Sequence, residues 1–183
     1  MRNCGVAKPR ILGGYAKGRP LLTPKEGTRP SPAKLRAAVF DILQSYEPGT
    51  FLDLFAGSGG VGLEAASRGW DATLVELAGP ACRVIEQNAR ALKLQANVIQ
   101  DDALRFATQH RHTFDCVFAA PPYPLDLADV FSHILKAHVQ TETGVVLLQH
   151  PTSFDVETEC HDALGGQPTK RYRYGSNTLT RIG

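Results

Sequence analysis

The chain has 183 residues, 43% of them hydrophobic and 21% charged, enough for one folded domain with a sizeable core. No apolar run approaches the roughly 20 residues of a membrane-spanning helix, and no apolar h-region marks a secretory signal at the N-terminus. The net charge of +2 is unevenly spread: residues 1–36 carry nine basic side chains against Glu26 alone, a net of +8, which leaves −6 for the remainder. A basic arm on a mildly acidic body predicts a polyanionic partner held at one end. Cys4, Cys82, Cys116 and Cys160 are far apart, without a C-x-x-C pair, and read as free thiols of a reducing cytoplasm. His110 and His112 are the close histidine pair, and no carboxylate or thiol pattern around them suggests a metal site.

In chain order, Arg10-Ile11-Leu12 and Pro20-Leu21-Leu22 flank a turn-rich stretch and predict a short β-hairpin. Residues 1–30 are therefore expected to form a basic hairpin and arm, and residues 31–183 the main domain. Ser31 is placed to cap a helix with Pro32 at its first position. Leu35, Ala38, Val39, Ile42 and Leu43 follow at helical spacing until Pro48-Gly49 ends the run. From residue 50, strand and helix alternate. Strands are expected at 50–55, 72–76, 97–100, 114–119 and 145–149, and helices at 60–67, 79–94, 103–110 and 127–138. Residues 154–160, 170–174 and 179–182 read as strands that close the sheet in antiparallel fashion. The alternation predicts an α/β fold: a Rossmann-like, doubly wound, mostly parallel sheet covered on both faces, with a C-terminal antiparallel strand pair.

The pivot is the stretch 51–62, in which an apolar run carrying Asp53 breaks into Gly57, Gly59, Gly60 and Gly62. Its Gly-x-Gly-x-x-Gly spacing formally satisfies the dinucleotide fingerprint, with Glu76 at a distance suited to ribose hydroxyls. Two features favour a different ligand. Asp53 lies inside the first strand, where a carboxylate projecting into the crevice repels pyrophosphate and attracts an ammonium group. The fourth strand ends in Ala120-Pro121-Pro122-Tyr123, a stiff turn with an aromatic at the carboxyl end of the sheet. S-adenosylmethionine, with its ammonium, carboxylate, ribose diol and adenine, suits these groups better than NAD. Taken singly, Asp53 reads equally well as a cap on the glycine loop, and Glu76 as an ordinary strand-end acid. Their order with Asp102 and Pro-Pro-Tyr, each after a successive strand, carries the ligand reading. Tyr123 is placed to stack on a base extruded from RNA, or else to pack beneath its own loop.

From Arg10 to about Leu179 the sequence resembles the RsmD-type methyltransferases, which methylate a guanine exocyclic N2 in 16S ribosomal RNA. The motifs specific to that family are Arg10-Ile11-Leu12-Gly13-Gly14 with Lys17-Gly18-Arg19, Thr28-Arg29-Pro30-Ser31 leading into Val39-Phe40-Asp41-Ile42-Leu43, and Tyr174-Gly175-Ser176-Asn177-Thr178. The resemblance implies a class I methyltransferase fold, S-adenosylmethionine as cofactor, and 16S rRNA in a small-subunit assembly intermediate as partner. It further implies a cytoplasmic, metal-free monomer. It places Asp53, Phe55, Ala56, Gly57, Ser58 and Gly59 along the methionine and ribose, and Glu76 with Leu77 at the ribose. Asp102 and Ala103 would meet the adenine, and Ala120, Pro121, Pro122 and Tyr123 the target base. Arg10, Lys17, Arg19, Arg29, Lys34 and Arg36 are expected on phosphates, which set affinity and register rather than sequence choice.

Two departures stand against the matches. The family has Asp, or Asn in related enzymes, immediately before Pro-Pro; here that residue is Ala120. The acid expected after Arg36 is Ala37. A guanine amine is a poor nucleophile because its lone pair is delocalised, so a missing hydrogen-bond acceptor would cost roughly 10²–10³ in rate. The Pro121 carbonyl and Asp126 are the acceptors left in this stretch. The rival readings are a non-catalytic RNA-binding assembly protein of the same fold, and an amino-methyltransferase of DNA adenine or protein glutamine. The chain leaves no room for a separate target-recognition domain, and its basic arm disfavours a protein substrate.

Overall fold

A computed structural model describes residues 9–23, 32–122 and 124–183. The elements run α1 (Ala33–Ile42), β1 (Thr50–Leu54), α2 (Gly60–Ser67), β2 (Asp71–Glu76), α3 (Gly79–Leu92), β3 (Ala96–Gln100), α4 (Ala103–Gln109), β4 (Phe114–Ala119), α5 (Leu127–Ala137), β5 (Gln140–Pro151), α6 (Val156–Glu159), α7 (His161–Leu164), β6 (Thr169–Tyr174) and β7 (Asn177–Ile182). The strands form one sheet in the order β3-β2-β1-β4-β5-β7-β6. β1 is central, with Asp53 opposite Leu74 of β2 on one side and Phe118 of β4 on the other. Neighbours from β3 to β5 are parallel, while β7 runs antiparallel to both β5 and β6. The crossovers therefore bring 55–59, Leu77, Asp101 and Ala120 to one edge, where ligands of open α/β sheets bind.

Side chains of β1 alternate between two cores. Phe51 joins residues of α1, α2 and α3 on one face, stacked on Phe40 at 6.2 Å and edge-on to Trp70 at 5.8 Å. Leu52 and Leu54 face α4 and α5 on the other. With both faces covered, the strand is apolar almost throughout, as a central parallel strand must be.

The predicted hairpin is reduced to one bridge, Arg10 to Pro20, with the Ile11 N–H donating to Arg19 at 3.0 Å and the Gly18 N–H to Ile11 at 2.8 Å. Residues 9–23 do not stand away from the body. The Leu12 N–H donates to Glu64 at 2.7 Å and the Ala16 N–H to Ser67 Oγ at 2.9 Å, while Asn88 both accepts from and donates to the Leu22 backbone. Gly14 is required here, because a Cβ would lie 1.9 Å from the Ser67 carbonyl and φ is +71°. Ile11, Ala16 and Leu21 are buried in the same core as Phe51.

Residues 154–160 are not a strand. Asp155 accepts the N–H groups of Glu157 and Thr158 and starts α6, followed directly by α7. Alternation of Phe154, Val156 and Cys160 suggests period two, but Val156, Cys160, Ala163 and Leu164 are the buried set, and their spacing is helical. The side-chain cap decides between the two. β5 also begins earlier than expected, at Gln140, because a register shift between Phe114 and Cys116 lets β4 pair with it across an irregularity. α1 has Pro32 at its cap position, and Ser31, expected as the cap, lies outside the described residues.

Candidate active site

Chain direction reverses sharply after β1. Phe55, Gly57 and Gly59 have φ of 63°, 58° and 78°, a left-handed series that glycine adopts freely and phenylalanine does not. Phe55 is thus a strained residue at the lip of the sheet, the kind of position that functional sites retain. Two carboxylates hold this loop. Asp53 Oδ2 accepts the Gly62 N–H at 2.8 Å, and Glu76 accepts the N–H groups of Gly57 at 2.7 Å and Ala78 at 2.9 Å. Asp53 therefore does not project freely into the crevice; it is 2% exposed and caps the loop-to-helix turn. Burial first, and the Glu76 charge after the opposing Gly62 bond, push its carboxyl up to about 7.

Beyond Glu76, an open cavity of about 460 Å³ is lined by Leu77, Gln100, Asp101, Asp102 and Arg105. Leu77 is 67% exposed there, an apolar surface without a described partner that suits a flat ring. Asp102 caps α4 by accepting from Leu104 and Arg105, and Ala103 is the buried first residue of that helix. Asp101 pairs with the Arg105 guanidinium, which holds its carboxyl below the usual range. Gln100 and Arg105 were not expected at the site; the i,i+4 spacing of Asp101 and Arg105 across a helix start was the available signal.

Ala120 follows β4 beside the glycine loop, half-buried against the Phe51 core; Pro121 is half-buried and Pro122 exposed. Ala56 and Ser58 are buried within the loop. Tyr123 lies outside the described residues, as does Arg29. Asp126, a candidate acceptor, is exposed and caps α5 through one oxygen: its Oδ1 accepts from Ala128 at 2.9 Å and Asp129 at 3.2 Å. Of the residues expected on phosphates, Arg10, Lys17, Arg19 and Lys34 are exposed, with Arg10 and Arg19 donating to the carbonyls of Gly18 and Ala91. Arg36 is a correction. It is 2% exposed and cannot reach an external RNA backbone. Its position three, four and seven residues before Val39, Phe40 and Leu43 already placed it on the buried face of α1.

Among the described residues no group of three His, Cys, Asp or Glu side chains is arranged to hold a metal ion, and no helix is long and apolar enough to cross a membrane. Cys82, Cys116 and Cys160 are free and buried.

Five parallel strands extended by an antiparallel β7 and β6, with a glycine loop after β1 and an acid ending β2, define a class I methyltransferase. The family described as conserved hypothetical protein 95 matches residues 9–182. The Ribosomal RNA small subunit methyltransferase D of Escherichia coli (strain K12) is 34% identical over 136 residues, covering 72% of this chain and 69% of that one. The chain belongs to this family, the RsmD-type methyltransferases. The solved structure of a hypothetical protein from Thermus thermophilus is 40% identical, covers 95% of this chain and 98% of its own, and superposes with a TM-score of 0.83. The fold is also that of the T. thermophilus 16S rRNA N2 methyltransferase RsmC, in complex with AdoMet and guanosine (20% identity, 96% of this chain, 49% of that one, TM-score 0.74).

Proposed function

We propose that this chain transfers a methyl group from S-adenosylmethionine to the exocyclic N2 of a guanine in 16S rRNA. The observation that carries the reading is the pair of carboxylates at the glycine loop. Asp53 and Glu76 occupy the N–H groups of Gly62 and Gly57, donors that a dinucleotide-binding loop keeps for pyrophosphate. Burial first, and the neighbouring Glu76 charge as well, raise the Asp53 carboxyl. Pyrophosphate beside these two acids would be repelled, and a ligand with a sulfonium and an ammonium attracted.

The residues fit the cofactor along its length. Gly57 and Gly59 allow the backbone a close approach, Glu76 offers acceptors for the ribose hydroxyls, and Leu77 with the cavity at Asp102 takes the adenine. When bound, S-adenosylmethionine supplies an electrophilic methyl on a sulfonium. Pro121 and Pro122 stiffen the turn at the end of β4, and Tyr123 gives the ring on which an extruded guanine stacks. Alignment and exclusion of water are what these residues contribute to the rate. With Ala120 in place, the Pro121 carbonyl and the Asp126 carboxylate, whose Oδ1 caps α5, are the acceptors left to orient the amine.

Single-turnover transfer to small-subunit particles, with the product nucleoside identified by mass, tests this. The expected product is N2-methylguanosine, and Ala120→Asp is expected to raise the rate roughly 10²–10³-fold by restoring a preorganised acceptor. A methyl group on another base sinks the target assignment. Ala120 also favours a second reading, a non-catalytic RNA-binding assembly protein. Undetectable transfer that appears in Ala120→Asp would establish that reading instead.

A further inference from the structure

We infer that the β6–β7 hairpin is a wall of the target-base crevice and grips the RNA backbone beside the extruded guanine, through Arg173 and the turn at Gly175 and Ser176. This rests on the functional reading above and adds to it a contact surface for the nucleotides that flank the target. The hairpin tip is the stretch Tyr174-Gly175-Ser176-Asn177-Thr178, which neither the cofactor nor the target base uses.

β5 outruns its parallel neighbour. Ala119, the last residue of β4, pairs with Leu148, while β5 continues to Pro151, which pairs with Asn177 of β7. Residues 149–151 carry that strand about 10 Å past the end of β4. The hairpin tip therefore rises above the sheet edge to which Ala120, Pro121 and Pro122 belong. In the order β4-β5-β7-β6 it lies two to three strands from β4, roughly 10–15 Å at the usual strand spacing. A few nucleotides of extended RNA leaving the crevice cover that distance.

The hairpin is held from three sides. The Thr152 N–H donates to the Ser176 carbonyl at 2.9 Å, and its Oγ1 to the Gly175 carbonyl at 3.1 Å. Tyr172 and Tyr174 pack on the Phe51 core. Arg171 pairs with Asp155 at 3.2 Å and Glu157 at 3.7 Å. Arg173 is on the same face of β6, two residues nearer the tip. It is exposed, and among the described residues it has no acidic partner. The tip is open as well: Gly175 has φ of +64°, and a Cβ there would meet nothing within 4 Å. Among the described residues no acceptor takes the Gly175 or Ser176 N–H. Successive free N–H groups of a turn, with an unpaired guanidinium close before them, form a cradle for phosphate oxygens. The crevice beside it takes the target base, so the anion that reaches the hairpin is the backbone of the same strand.

Filter binding to small-subunit particles at stepped salt, paired with steady-state methyl transfer, tests the hairpin. Arg173→Gln is expected to weaken particle binding and raise KM roughly 10-fold, the scale of one charge-assisted contact. The slope of log affinity against log salt should fall by about 1. The loss should fall on KM and not on kcat, with S-adenosylmethionine affinity and melting temperature held, because the side chain is exposed. Arg173→Lys should recover most of the loss, since a phosphate also accepts a point charge. Arg171→Gln should leave particle affinity unchanged, because its guanidinium is already paired. Equal losses from both arginines would mean a diffuse field and overturn the contact. Ser176→Cys carrying a photo-crosslinker identifies what the tip touches. Attachment within a few nucleotides of the methylated guanine supports the inference; attachment to distant RNA, to a ribosomal protein or to nothing overturns it. Unchanged particle affinity in Arg173→Gln, with N2-methylguanosine still formed, refutes the hairpin alone; a parent that binds no particle refutes the rRNA reading as well.

Discussion

At the scale of single residues, Asp53 is the group whose chemistry shows most directly in solution. Its carboxyl rises from 3.8 to about 7 on folding. Between those values the folded chain holds a proton that the unfolded chain has released. Its contribution is therefore complete below pH 4 and is lost as pH rises through 7. The melting temperature of the ligand-free protein is expected to fall across that window, and Asp53→Asn to flatten the fall, as read by calorimetry at stepped pH. A cation arriving beside Asp53 expels this proton. The apparent enthalpy of S-adenosylmethionine binding should then depend on the ionisation enthalpy of the buffer at pH 6.5 but not at pH 8.5. Asp53→Asn should abolish that dependence. The residue itself could be singled out in the sequence because an acid interrupts an apolar strand, but its direction could not. Whether a carboxylate points into a crevice or caps a turn depends on where the Gly62 N–H lies, and the left-handed path of 55–59 decides that.

At the scale of elements, two contacts set the shape of the site. Gly62 lets α2 settle on β2: an added Cβ would lie 2.4 Å from Leu74 Cγ. Gly62→Ala is expected to lower stability by about 1–3 kcal/mol through overpacking, measured by urea denaturation, and to shift the loop that Asp53 and Glu76 hold. Ser67 is the clasp for the N-terminal segment, accepting from Ala16 at 2.9 Å and donating to the Gly13 carbonyl at 2.7 Å. Ser67→Ala leaves those groups without partners, a loss of about 1–3 kcal/mol, with hydrogen exchange rising first over residues 11–22. Both contacts join parts of the chain far apart in sequence, so neither was visible as a pattern. Helix α6 shows the same limit in reverse: residues 154–160 carry a local alternation that suits a strand, and one aspartate cap overrides it.

At the scale of the molecule, charge and fold divide the work. The basic excess of the first 36 residues is presented in part by Arg10, Lys17 and Arg19, on a segment fastened to α2 and α3, and by Lys34 on α1. Lys17→Ala with Lys34→Ala is expected to weaken RNA binding and to lower the slope of log affinity against log salt by about 1 per phosphate contact removed. Cofactor affinity and melting temperature should not move, because both side chains are exposed. A joint loss of RNA and cofactor affinity would mean that the segment supports the site rather than the RNA.

The sequence alone determined the β–α alternation, the place of the glycine loop after the first strand and the antiparallel closure. Each is written in local apolar periodicity and turn residues, which act over a few positions. Only the tertiary structure decided that the N-terminal segment is docked, that Asp53 and Glu76 converge on the N–H groups of one loop, and that Arg36 packs against Gly60. Those outcomes depend on helices and strands from distant parts of the chain being packed against one another, and burial and charge at a point in space are sums over neighbours that linear order does not name.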